Sequence, residues 1–425
     1  MYPTNLPTTI GTLPAKTPKP GFSAFFLLPI LLFGGIFLSG CEDPGVVGST
    51  FIDENGNLVT ANFPLDEFTP LSDPSYSGDL TYVPVGRYRD PVFGEITSIG
   101  LVRPELDSIT FSSISTQDTM RIRFSFAPDV YGDTAASAFF DVYEITEPWR
   151  DKELRYGDQV AFDSFDKVGS FEIKQGETAE FEVSAEWRAK YEDFLYGGRA
   201  DADSVYKYEM PGLAIVPDLT RTQKVLFLNP QDNAVGAGEE TATRLVVTDT
   251  TGSSLYVQME QWGAAMTRNT QAVEFIPEDG VITLHNTLEQ YIKLDFSFTE
   301  ERLLTKNLAR VELVLYENST LLDGSLPEGH VRPEALTASL FLIDKGDPDE
   351  IIFSSGPLFA TTKGNDNTYR FNLTSYANAF LFDTLTTTDY YLALESNTGL
   401  LTSTLVYGLS ANATLQPKIV VTAVE

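Results

Sequence analysis

The chain has 425 residues with 29 basic and 60 acidic side chains, a formal charge of −31 at neutral pH. That balance excludes non-specific nucleic-acid binding, which needs a basic face, and argues against lying flat on anionic lipid. A single cysteine excludes an intramolecular disulfide, so the fold must rely on packing, for which the length suffices, with room for two domains.

Taken in order, the chain first presents an export signal. Phe22 to Phe37 carries no charge, follows Lys16 and Lys19, and is followed by Leu38-Ser39-Gly40-Cys41. A basic region, a short apolar run and small residues before a cut site describe a cleaved signal, and the run is short for a bilayer span. An ordinary thiol at Cys41 and an uncleaved anchor are the competing readings. Leu-Ser-Gly-Cys resembles the lipobox of bacterial lipoproteins, which implies acylation of Cys41 and a mature chain beginning there. Cleavage would remove two lysines and leave 27 basic against 60 acidic residues in 385, a net charge of −33. Several acyl chains, each adding about 0.8 kcal/mol per buried CH₂, would hold such a body on a membrane. Glu42-Asp43, directly after the cysteine, resembles the acidic signal that directs Bacteroidota lipoproteins to the outer face of the outer membrane.

Residues 41–79 read as a tether. Pro44, Gly45, Gly48, Gly56, Pro64, Pro70, Pro74 and Gly78 punctuate them, and no apolar period persists. Within this stretch Asn57 to Phe63 partly alternates, as an edge strand would.

From Leu80 the dominant signal is β. Met120-Arg-Ile-Arg-Phe-Ser-Phe126 alternates polar and apolar side chains, and similar runs recur at 138–145, 169–173, 179–183, 224–228, 244–248 and 254–259. Turn-rich strings separate them, such as Pro128 to Asp133 and Asn229 to Gly238. One helix is expected from Ser184 to Tyr196, with Ser184 as cap and Trp187, Tyr191, Phe194 and Leu195 at helical spacing. A second set of strands follows at 281–285, 290–298, 309–316, 338–343, 369–373, 390–395, 403–409 and 417–424. The run from Arg310 to Tyr316 is apolar on both parities near its end, as in a strand packed on both faces. The expected fold is mainly β: two jelly-roll-like β-sandwich domains in series, 80–267 and 268–425, behind a signal (1–40) and a lipidated tether (41–79).

The string Tyr88-Arg-Asp90-Pro91-Val-Phe93-Gly94 has a local physical reading. Proline holds φ near −65°, Asp90 can accept from backbone amides beyond it, Phe93 inserts an aromatic ring and Gly94 lets the chain reverse. A structural corner is the plain reading and a binding loop the other. The longer string Val85 to Gly94 that contains it, with Asp107-Ser-Ile, Tyr131-Gly-Asp133, Phe140 to Ile145, Tyr291 to Phe296, Lys306 to Leu313 and Pro417 to Val421, resembles the ordered landmarks of the DUF4270 lipoproteins of Bacteroidota. Where that family shows Ile-Asn-Lys-Ala-Glu-Leu, this chain has Lys-Asn-Leu-Ala-Arg-Val-Glu-Leu. The resemblance implies an outer-membrane location and this architecture, and brings no catalytic residue with it.

Candidate chemistry is sparse. There are two histidines, His285 in an apolar run, read as a core or sheet-edge residue, and His330 beside Gly329, read as a solvent residue. Cys–His catalysis, paired-ligand zinc motifs, a Gly-x-Ser-x-Gly elbow and a phosphate-binding loop are all missing from the sequence. Paired carboxylates could run glycoside hydrolysis, but sixty acidic residues make their presence uninformative. Asp344, Asp347 and Asp349 gather hard oxygen ligands in one turn and are candidates for a structural Ca²⁺ site, with Asp201 and Asp203 a weaker one; no other cofactor is expected. Trp149, Trp187 and Trp262, with loop tyrosines such as Tyr196 and Tyr206, are candidate glycan platforms, against the alternative that they are core. Asp-Ser/Thr-apolar triplets at Asp107, Asp118, Asp133, Asp203, Asp249 and Asp383 resemble Bacteroidota O-glycosylation acceptors. The expectation is a non-enzymatic lipoprotein, membrane-anchored through Cys41, that binds another envelope protein; the alternative is a glycan-binding surface lipoprotein that captures a polysaccharide.

Overall fold

The structure of the protein is a computed structural model. It describes residues 57–72, 76–105, 115–174, 176, 178–191, 210–231, 241–275, 278–287, 291–296, 298–299, 301–303, 307–342, 357–382, 389–394 and 399–424. Alternation of exposed and buried side chains organises its strands, beginning with the first. β1 (Leu58–Pro64) and β2 (Glu67–Leu71) open the described chain. The first body follows with β3 (Val83–Asp90), β4 (Gly94–Pro104), β5 (Thr119–Asp133), β6 (Ala138–Ile145), β7 (Phe162–Ile173) and β8 (Thr178–Glu182). After α1 (Ala185–Lys190) it continues through β9 (Leu213–Pro217), β10 (Lys224–Leu228), β11 (Arg244–Thr248), β12 (Ser254–Val257) and β13 (Met259–Asn269). The second body comprises β14 (Val281–His285), β15 (Tyr291–Asp295), β16 (Leu308–Tyr316), α2 (Ser319–Ser325), β17 (His330–Val331), β18 (Thr337–Leu342), β19 (Phe359–Thr362) and β20 (Thr368–Asn372). It ends with α3 (Thr374–Leu381), β21 (Asp389–Leu394), β22 (Ser403–Tyr407) and β23 (Lys418–Val424). The fold is mainly β, as expected, and the strand positions follow the alternating runs closely.

The first body is one antiparallel sheet in the order β12-β11-β5-β10-β3-β4-β9-β6-β7, with β13 beside β4 and β8 and β17 beside β5. It encloses a core that includes Val85, Phe124, Tyr131, Phe140 and Phe227. β5 makes this possible by changing partners halfway: Thr119 to Ser125 pair with β11 and β8, and residues from Phe126 on pair with β10. Pro128 sits at the irregularity between these halves, where a residue without an N–H is tolerated. The expected loop from Pro128 to Asp133 is therefore part of a strand.

In the second body the sheets β1-β23-β16-β20 and β19-β18-β21-β15-β2 share a core that includes Ile292, Leu313, Leu340, Tyr369 and Phe371. Burying each such side chain stabilises by about 1.5–3 kcal/mol. β1 and β2 lie at the outer edge of one sheet each, paired with β23 and β15. This corrects the tether boundary: from Leu58 the stretch expected to be a spacer closes the second sandwich, because half-buried Phe63 packs on that core, as do buried Leu65 and Phe68. The edge strand expected at Asn57 to Phe63 is there. The second body is thus built from both ends of the described chain, and residues from Leu58 on form one compact unit.

The expected helix begins where its cap predicts. Ser184 accepts a hydrogen bond from the Trp187 amide at 3.1 Å, and α1 buries Trp187. The rest of the expected helix lies outside the described residues.

Candidate functional site

The Tyr88–Gly94 string forms the turn between β3 and β4, and Asp90 is its centre. One carboxylate oxygen, Oδ1, accepts from the Val92 and Phe93 amides at 2.8 and 2.9 Å, closing the turn that the Asp-Pro pair predicts. Gly94 follows with φ of +84°, and an added Cβ would stand 2.3 Å from the Asn269 carbonyl oxygen, so only glycine fits. The structural-corner reading is correct as far as it goes. It omits the larger part of what the box does.

Asp90 is fully buried. The Arg332 guanidinium, from the segment after β17, grips it with two parallel bonds, Nε to Oδ2 at 2.8 Å and Nη2 to Oδ1 at 2.9 Å. The Tyr131 hydroxyl of β5 donates to Oδ2 at 2.8 Å. Five donors therefore converge on one carboxylate, two from its own turn, one from the first body's sheet and two from the second body. Burial pushes the Asp90 pKa up, but the guanidinium and the amides outweigh it and hold the group below the usual carboxylate range. Burial alone would lower the Arg332 pKa, and Asp90 reverses that to a rise. Burial, then the Asp90 charge, pushes Tyr131 up, so its hydroxyl stays protonated as a donor.

Around this pair the two bodies interlock. Phe93 packs with Val92, Leu405, Leu321 and Leu322, lies under the Arg332 guanidinium at 4.9 Å, and meets the edge of the His285 ring at 5.5 Å. His285 is buried and shares a 2.7 Å hydrogen bond with the Ser403 hydroxyl. Burial, with Arg268 nearby, holds its pKa well below the ordinary imidazole value, so it is neutral. Tyr88, also a box residue, shares a 3.0 Å hydrogen bond with His330 Nδ1 and stacks at a tilt on Tyr131, ring centres 5.2 Å apart. β17 adds His330 and Val331 as a two-residue strand on Asp133 and Gly132 of β5. His330 is thus wedged between the bodies, which corrects its reading as a solvent residue. His285 is a core residue, as expected.

The site is a joint. Each Asp90 oxygen is already engaged by donors, and both tyrosines, Tyr88 and Tyr131, have raised pKa values. What the arrangement can do is fix the angle between two β bodies with a desolvated, bidentate ion pair whose geometry tolerates little error. Sequence reasoning found Tyr88, Asp90, Pro91, Phe93 and Gly94 and missed Arg332 and the role of Tyr131. The available signal was an aspartate placed in an apolar turn, which calls for a cation, but nothing in the sequence says which.

The tryptophans belong to the scaffold. Trp262 is buried and donates through Nε1 to the Leu80 carbonyl at 2.8 Å. Trp187 is buried against Tyr191, ring centres 5.2 Å apart. Trp149 is half-buried on a small core around Leu101 and Ile145, donating to the Pro211 carbonyl at 2.7 Å. For the buried Trp187 and Trp262 this corrects their reading as a glycan platform, since a stacking surface needs an open ring face. Cys41, Glu42, Asp43 and the acidic turn Asp344, Asp347 and Asp349 lie outside the described residues. Among the described residues no helix is long and apolar enough to cross a membrane.

No family model matches the chain, and no curated protein does. Among solved structures it is similar to the Macrobrachium rosenbergii nodavirus, at 11% identity over 98% of this chain and 99% of that one with a TM-score of 0.13. Infectious bursal disease virus Gt strain is similar at 11% identity over 88% and 77% of the two chains, with a TM-score of 0.10. Likenesses at such TM-scores carry no argument about fold or function.

Proposed function

We propose that the chain is an outer-membrane lipoprotein, held at the cell surface by acyl groups on Cys41, that serves without catalysis as a binding or structural subunit of an envelope assembly. The observation that carries this reading is the placement of the sole cysteine directly after an uncharged apolar run, in Leu38-Ser-Gly-Cys41, with Glu42-Asp43 behind it. The strings running from Val85 to Val421 support membership of the DUF4270 lipoproteins. The joint supports a presenting role, because a body locked by Asp90 and Arg332 can hold a partner at a set orientation. With Trp187 and Trp262 buried, no observation favours the glycan reading over this one.

Two measurements test the proposal. Palmitate labelling in the native envelope is expected to mark the wild-type chain in the outer-membrane fraction and to vanish with Cys41→Ala. Affinity purification from gently solubilised envelope is expected to recover a stoichiometric protein partner that is lost with the same substitution. An unlabelled wild-type chain would end the lipoprotein reading, and a labelled but partner-free chain would end the assembly reading.

A further inference from the structure

The second body has a sheet face whose charge is opposite to that of the molecule. In the sheet β1-β23-β16-β20, Phe63, Ile419, Val421, Val311, Leu313, Tyr369 and Phe371 point to the core. The alternate residues therefore face outward. Register places Arg310 beside Thr422, Val314 between Lys418 and Arg370, and Tyr316 beside Thr368. Arg310 reaches Glu312 at 2.7 Å, its own side chain 60% exposed and that of Glu312 only 10%. Arg370 pairs with Asp366 at 2.8 Å and stays 42% exposed. Lys418 has no carboxylate partner among the described residues; its ammonium lies 5.0 Å from the centre of the Tyr316 ring. Among the described residues, three cations thus stand against two carboxylates on an open face of a chain with net charge −31. Val314 is fully buried on this outward side, flanked by the basic side chains, whose aliphatic stems can cover it while their heads remain in water.

We infer that this face docks an acidic protein surface of the envelope partner. The inference rests on the proposed role as a binding subunit and names where the partner sits. Charge complementarity carries it: at physiological salt the Debye length is about 8 Å, so an approaching acidic surface meets the local excess of arginine and lysine and not the distant total. Composition agrees, since arginine and tyrosine are enriched in protein interfaces. A sugar polymer fits less well, because Lys418 already occupies a face of the Tyr316 ring. Four strands about 4.8 Å apart give a patch on the order of 300–400 Å². That is below the roughly 800 Å² per partner of a standard interface, so this face supplies only part of the contact, and a salt-sensitive part.

The test uses the full chain carrying Cys41→Ala, so that lipid plays no part, and immobilised poly-L-glutamate as probe, with polygalacturonate as the acidic glycan counterpart. Binding to poly-L-glutamate is expected at about 0.15 M salt, where the total negative charge is screened beyond about 8 Å, and is expected to vanish at about 1 M. The triple variant Arg310→Glu, Arg370→Glu, Lys418→Glu is expected to bind about tenfold more weakly. Gln at the same three positions should fall between, with an unchanged circular dichroism spectrum. No binding at about 0.15 M salt, equal binding by the triple variant, or preference for polygalacturonate overturns the inference. The palmitate result at Cys41 is independent, so failure of the anchor and failure of this face are distinguishable.

Discussion

Two arginine–carboxylate pairs in this molecule have the same contact distance and opposite meanings. Arg332 and Asp90 meet at 2.8 Å with side-chain exposures of 7% and 0%, whereas Arg370 and Asp366 meet at 2.8 Å with exposures of 42% and 55%. In the joint, both charges have left water, so each depends on the other and on Tyr131 and the turn amides for its solvation. On the sheet face, water solvates both ends and the pair adds little, which leaves those charges available to something else. Distance does not separate a lock from a docking surface. Desolvation does.

Breaking the lock should show this most clearly. Arg332→Ala leaves a buried carboxylate without its cation and is expected to destabilise the folded chain by about 3–5 kcal/mol, read as a lowered urea midpoint. A change of less than about 1 kcal/mol would mean that the pair is hydrated and the contrast false. Tyr131→Phe removes one donor to a charged acceptor and is expected to cost about 1.5–3 kcal/mol, with the fold intact.

Acid titrates the same region from another side. Burial holds the folded pKa of His285 well below 6.5, so the unfolded chain takes up a proton that the folded chain refuses. The stability tied to His285 is therefore complete above about pH 6.5 and is lost as pH falls below it, by up to about 1.4 kcal/mol per unit. His285→Gln is expected to flatten that slope between pH 6.5 and 5 relative to wild type. Parallel slopes would show that the imidazole reaches water. Asp90, with a folded pKa below 3.8, contributes stability that is present above that value and lost as pH falls further.

The smallest effect is expected on the open face. Arg370→Ala should change stability by no more than about 0.5 kcal/mol, since exposed pairs contribute little. Measured beside Arg332→Ala, it tests whether burial is the variable that matters.

Strand positions were legible because alternation is local: Lys224 to Leu228, Arg244 to Thr248 and Val281 to His285 are strands over the ranges their patterns predict. The Asp90-Pro91 turn and the Ser184 cap were legible for the same reason, each bond closing within three residues. Misreadings arose where a residue's role depends on remote neighbours. Pro128 looked like a loop because its place in β5 depends on the irregular pairing with β10. Trp262 looked like a surface candidate because the Leu80 carbonyl it meets is 182 positions away. Pro64 and Pro70 looked like a tether because their strands find partners only at residues 418 and 292.

By itself, the sequence determined the acidic balance, the mainly β class and the local turns, since each depends on composition or on neighbours a few residues apart. Only the tertiary structure decided that Asp90 and Arg332, 242 positions apart, share one buried ion pair, and that Arg310, Arg370 and Lys418 share one open face. The physical reason is that strand register and desolvation are properties of the packed chain, set once distant segments pair and exclude water, and no local pattern encodes which segments those are.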